Sequence, residues 1–149
     1  RLIKSPKLYF VDSGLACHLL QIESEAALNR SPFLGPLFEG FVASEIVKAQ
    51  LHAGRRRELY YFRDQQGLEV DFVIPAGGHR LLLCESKASK TVSPSMAEPL
   101  SRLLPRVTPY TAEGYLVHQR STTAAPLRAL RPGIQALPLD ELPSLLARR

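Results

Sequence analysis

Cysteine is scarce in this chain of 149 residues: Cys17 and Cys84 stand far apart, each in apolar surroundings. Two such residues suit buried thiols and argue against the disulfide framework of a small secreted domain. Long apolar runs are missing as well. No stretch approaches the roughly 18 to 20 apolar residues of a membrane-crossing helix, and nothing near Arg1 reads as an export signal, so a cytoplasmic location is expected. There is no GxxxxGK[ST] string, which excludes a P-loop for ATP within these residues. His18, His52, His79 and His118 lack ligand spacing, so no zinc site is expected, and no serine stands in a triad-like relation to a histidine. Internal repeats and low-complexity tracts are absent too.

What remains is an ordinary globular composition. With 45% hydrophobic residues, the 149 residues suffice for one domain with its own core. A net charge of +5 and a pI near 9.5 permit contact with nucleic acid or another polyanion. The one dense basic cluster, Arg55, Arg56 and Arg57, follows Gly54 where a helix is expected to end. These arginines are candidate phosphate contacts in a solvated loop.

Hydrophobic patterning divides the chain into elements. Lys7 to Asp12 (KLYFVD) reads as a short strand, followed by a brief helix to Leu20. Residues 21–36 carry Pro32, Gly35 and Pro36 and read as a linker with room for a helical turn. From Leu37 to about Ala53 the period becomes helical, with Phe38, Phe41, Val42, Ile46 and Ala49 along one stripe. Three strands are expected next: Glu58 to Arg63, Leu68 to Pro75 and His79 to Ala88, joined closely enough to form an antiparallel meander. A short helix is placed near Pro99 and a buried strand at Gly114 to His118. The stretch 121–149, with Pro126, Pro132, Pro138 and Pro143, reads as an extended tail holding a strand at Ile134 to Leu137 and a helical piece from Asp140.

The chemistry sits where charge interrupts apolar strands. In LEVDFVIP, alternation sends Val70, Phe72 and Ile74 to one face and Glu69, Asp71 and Val73 to the other, so Asp71 falls mid-strand among apolar neighbours. Burying an ionised carboxylate costs several kcal/mol, on the order expected for an uncompensated charge, unless a cation or donors offset it. The next strand, HRLLLCESKA, places Glu85 and Lys87 two residues apart on one face. Carboxylates on neighbouring strands can hold a hard divalent cation, and an adjacent lysine can orient water or steady phosphate charge. On the preceding helix, Glu39 at the margin of the apolar stripe and Glu45 near its centre are both candidates for a further acid. Glu45 could instead pair with a basic side chain, and Glu39 could complement the helix dipole.

Asp71, followed fourteen positions later by Glu85-Ser86-Lys87 and preceded by a helix bearing Glu39, resembles the PD-(D/E)xK nuclease pattern. That pattern belongs to an αβββαβ core with a mixed central sheet flanked by helices, shared by restriction enzymes and Holliday-junction resolvases. More narrowly, KLYFVDSGL (7–15), GPLFEGFVASEI (35–46), YYFRDQQGLEVDFVI (60–74) and CESKAS (84–89) are similar to DUF4143, a domain that follows an AAA-type ATPase module in many bacterial and archaeal proteins. Most of residues 4–120 is covered. No proline precedes Asp71, where the nuclease pattern has one; Glu69 and Val70 stand there.

The resemblance implies an α/β restriction-endonuclease-like core at 37–120, preceded by a strand and linker region (1–36) and followed by the proline-rich extension (121–149). It implies Asp71 and Glu85 as ligands to Mg²⁺ or Mn²⁺, Lys87 as the catalytic lysine and Glu39 as the helix-borne acid. It further implies a chain forming the C-terminal part of a longer ATPase, with ATP bound only by that N-terminal module. Two functions follow as expectations: a metal-dependent nuclease acting on DNA or RNA, with Arg55, Arg56 and Arg57 on phosphates, or a noncatalytic module that docks nucleic acid or protein.

Overall fold

The computed structural model describes residues 5–121 and 128–147. Helix α1 (Ser13–Leu19) begins where the Asp12 carboxylate accepts the Leu15 N–H, and α2 (Glu25–Arg30) where the Ser24 hydroxyl accepts the Ala27 N–H. Helix α3 (Leu34–His52) is the longest and ends two residues before Gly54, whose φ of +67° suits a residue without a side chain. Its buried stripe is Phe38, Val42, Ala43, Ile46 and Gln50. Phe41, expected on that stripe, lies off it: its ring is 36% exposed and sits beneath the Lys48 ammonium.

Strands β1 (Tyr60–Arg63), β2 (Glu69–Pro75) and β3 (Arg80–Lys87) form the expected antiparallel meander. The β1–β2 turn is fixed by Asp64, whose side chain accepts the Gln66 and Leu68 N–H groups. Helix α4 (Glu98–Leu103), flanked by single 3₁₀ turns, then returns the chain to β4 (Thr111–His118), which lies parallel to β3. Strand β5 (Ala129–Arg131), not anticipated, pairs antiparallel with β6 (Ile134–Pro138), and β6 runs parallel to β4. The result is one six-stranded mixed sheet in the order β1-β2-β3-β4-β6-β5, closed by α5 (Leu142–Ala147). The proline-rich tail therefore supplies two strands and a helix; of its prolines, Pro126 lies outside the described residues.

Helices cover both faces. On one, α3 and α5 bring Phe38, Ile46 and Leu142 onto Phe72, Leu82 and Val117. On the other, α4 brings Leu100 and Leu103 onto Val70, Leu83 and Leu116. Each such apolar side chain, fully buried, contributes on the order of 1.5–3 kcal/mol. Cys84 is buried in the first cluster, while Cys17 is only half-buried, and both are free thiols.

Two further expectations need correction. Lys7 to Asp12 is not a strand: residues 5–12 join no ladder and bend at Val11, and side chains tie them down instead. Lys7, Leu8, Tyr9 and Phe10 alternate between part-buried and exposed as they would in a strand, so the pattern alone could not tell a ladder from side-chain anchoring. Nor do Val70, Phe72 and Ile74 share a face. Tyr60 pairs with Val73 and Phe62 with Val70, so the span of β2 between these partners is one residue longer than that of β1. This bulge turns Val70 toward α4 and Phe72 and Ile74 toward α3.

Candidate active site

The β2–β3 ladder runs from Pro75↔Leu81 to Phe72↔Cys84 and stops there. Beyond it the strands part, and Asp71 takes over the role of ladder partner: its Oδ2 accepts the Ser86 backbone N–H at 2.9 Å and the Ser86 hydroxyl at 2.8 Å. The bulge and the parting of the strands thus coincide at the acid that sequence singled out. Burial, foremost, and then the charge of Glu39 push the Asp71 carboxyl above its ordinary range, while the Ser86 bonds and Lys7 oppose this.

Glu85 is 5% exposed. Its Oε1 accepts from Lys87 Nζ at 2.8 Å, and its Oε2 is buried without a hydrogen-bond partner among the described residues. Burial and the neighbouring Asp71 charge raise its pKa to about 7. Lys87, with 37% of its side chain exposed, is held above its ordinary pKa by the Glu85 carboxylate, against an opposing cost of burial. Buried polar atoms are nearly always paired, so the Glu85 oxygen is the outlier of the site.

Glu39 projects from the first turns of α3 to the same end of the sheet. Its Oε1 receives the Tyr9 hydroxyl at 2.6 Å and Lys7 Nζ at 2.8 Å. Lys7 also meets Glu69 at 2.5 Å and Asp71 at 3.5 Å. Its ammonium is held charged to well above its usual pKa by these acids, although burial opposes this. Glu45 does not join the group and pairs with Lys48 one turn away. Arg55 and Arg56 lie past the other end of α3, lining a small pocket with Glu58, Pro75 and Ala76. The helix places them about 20 Å or more from Glu39, given its rise per residue.

Among the described residues, no three His, Cys, Asp or Glu side chains converge as a ready cage for a metal ion. Asp71 and Glu85 nevertheless offer what a hard cation takes: carboxylate oxygens, one of them buried and unpartnered. Mg²⁺ commonly uses only one or two carboxylates and keeps several waters. The residues fit such an ion.

A family profile described as "Domain of unknown function (DUF4143)" matches residues 34–142, from the start of α3 into α5. The chain belongs to the DUF4143 family. Uncharacterized proteins of Mycobacterium bovis and Mycobacterium tuberculosis are each 43% identical to it over 75 residues, a stretch covering 50% of this chain and 16% of each relative. The DUF4143 match spans the acids on α3, β2 and β3, while Lys7 and Tyr9 lie before it. No helix among the described residues is long and apolar enough to cross a membrane.

Several members of the site were not singled out from sequence. Ser86, between the two charged residues of ESK, anchors Asp71 through its backbone and hydroxyl. Glu69 shares Lys7 with Asp71, as their common face in the strand pattern allowed. Lys7 and Tyr9 were legible only as part of KLYFVD, where aromatic content pointed to a strand. His118, buried, is paired with Lys87 across β3 and β4 and bonds the Gln119 carbonyl through Nδ1 at 2.7 Å.

Proposed function

We propose that the parted end of β2 and β3 is a phosphodiester-hydrolysing site of the PD-(D/E)xK kind, acting on nucleic acid with Mg²⁺ or Mn²⁺. One observation carries this reading: a buried carboxylate, Glu85, keeps an oxygen without a hydrogen-bond partner among the described residues, directly beside a half-exposed lysine and close to a second, largely covered acid, Asp71. Leaving a buried carboxylate oxygen unmet costs about 1–3 kcal/mol or more, so a resident of a purely structural network gains from losing it.

Asp71 and Glu85 are the residues that would hold the cation. A bound Mg²⁺ supplies polarisation of a phosphoryl oxygen and a more acidic attacking water. The rest is done by side chains of this chain. Ser86 fixes the Asp71 carboxylate in one orientation. Lys87 keeps its charge next to Glu85 on a side chain 37% exposed, from which its ammonium would meet the negative charge that grows on a phosphate during attack. Arg55, Arg56 and Arg57, at the far end of α3, suit phosphates flanking the reacting one. The longer relatives leave room for the further module, an AAA-type ATPase, that the family resemblance implies as partner.

A second reading, a noncatalytic module that binds nucleic acid or protein, is favoured by Lys7, which pairs with Glu39, Glu69 and Asp71 from within the chain. The two separate in a cleavage assay on labelled single-stranded, double-stranded and branched DNA and on RNA, with Mg²⁺ or Mn²⁺. The nuclease reading expects metal-dependent cleavage that Asp71→Ala and Lys87→Ala each reduce by about a hundredfold or more. Absence of cleavage in the chain and in the full-length protein, both folded, moves the conclusion to the noncatalytic module.

A further inference from the structure

We infer that residues 5–11 form a strap that carries the site's own counter-cation, Lys7, and that this strap must lift before the carboxylate cluster takes up a divalent ion. The inference rests on the metal-dependent reading above and concerns the regulation of that same site.

Lys7 has three N–H donors and three acids around it, contributed by α3 (Glu39) and β2 (Glu69 and Asp71). The Tyr61 ring lies 5.4 Å from the ammonium, which completes its surroundings. Tyr9, two residues on, adds its hydroxyl to Glu39 and lays its ring against Phe72. Gly40 faces it, where a side-chain carbon would sit 3.7 Å from the Tyr9 ring, an ordinary contact distance. The strap's backbone is held at two points, the Ser5 carbonyl by the Tyr61 hydroxyl and the Val11 carbonyl by Ser44.

These anchors are side-chain contacts, with no strand ladder behind them. The outward residues add little, since Leu8 is 92% and Val11 84% exposed. Segments held by few buried apolar contacts open at low free-energy cost compared with a core strand. While the strap is down, Glu39 and Asp71 are turned to an ammonium, and among the described residues no three acids converge as a metal cage. A divalent ion at Asp71 therefore competes with a tethered monovalent one, and removing the tethered charge favours the ion.

The test is Mn²⁺ binding to this chain, read by loss of the free-ion electron paramagnetic resonance signal and by calorimetry, with thermal melts in parallel. Lys7→Met is expected to bind Mn²⁺ at least tenfold more tightly than the parent, with the gain abolished by adding Asp71→Asn. Mn²⁺ should also raise the melting temperature of Lys7→Met more than that of the parent. Equal affinities for parent and Lys7→Met, both weakened by Asp71→Asn, overturn the strap while leaving the metal site standing. Absence of binding in both overturns the metal reading and the strap with it. If Lys7→Met loses its cooperative melt, Tyr9→Phe frees Glu39 more gently. A gain of about threefold supports the strap, and unchanged affinity overturns it.

Discussion

The two ends of the β2–β3 pair differ sharply although they share the same backbones. From Phe72 to Pro75 against Leu81 to Cys84 the ladder is continuous, and Phe72, Ile74, Leu82, Leu83 and Cys84 are buried among apolar side chains. One residue further, the ladder ends, a bulge intervenes, and Asp71, Glu85, Ser86 and Lys87 are joined by side-chain contacts instead. The closed end provides stability, and the open end uses it. Apolar packing next door excludes the water that would otherwise solvate Glu85, which is why that acid is held at a pKa of about 7. The contrast shows that a core can prepare a site without contributing a functional atom to it.

This contrast can be broken from either side. The largest effect belongs to the closed end: Phe72→Ala is expected to reduce unfolding free energy by about 3–5 kcal/mol, measured by denaturant titration. Phe72 is 1% exposed and touches Tyr9, so a loss below about 1 kcal/mol would deny that this end carries the fold.

At the open end the sign reverses. Because folding raises the Glu85 pKa to about 7, its contribution to stability is present at low pH and is lost as pH climbs from the ordinary carboxylate range through about 7. Glu85→Gln removes the buried charge, so at pH 8 it should stabilise by about 1–3 kcal/mol, and at pH 5 it should change little. Thermal melts across this range decide the matter; destabilisation at pH 8 would mean that Lys87 fully compensates the acid.

The smallest effect is expected far from both ends. Replacing Arg55, Arg56 and Arg57 together by alanine should alter stability by less than about 0.5 kcal/mol per site, since all three are exposed. If these arginines hold phosphates, the same variant should weaken nucleic-acid binding and flatten its salt dependence, by up to about one slope unit per arginine. An unchanged salt slope would remove them from the interface.

Much of this arrangement was legible in the sequence where the signal is periodic or local. The long helix, the meander and the helix near Pro99 follow from spacing and turn residues, and the spacing of Glu85 and Lys87 was enough to place them in contact. Less legible were features that depend on a distant partner. The β2 bulge arises because β1 pairs out of step, and no local signal in LEVDFVIP marks it. Strand β5 is three residues long and exists only because β6 is already in the sheet. Gln50, a polar residue in the buried stripe of α3, made sense only once its amide was found bonded to both backbone groups of Glu58.

By itself, then, the order of residues determined the long helix and the αβββαβ succession that follows from it, and the three charged positions in two apolar strands, because helix and strand periods are short-range consequences of side-chain geometry. Tertiary structure decided how those charges are met. It brought Lys7 across to Glu39, Glu69 and Asp71, gave Asp71 to Ser86, and left one oxygen of Glu85 without a hydrogen-bond partner among the described residues. The reason is physical: whether a carboxylate is paired, hydrogen-bonded or stranded depends on desolvation and on groups dozens of residues away, and only the folded chain sets those distances.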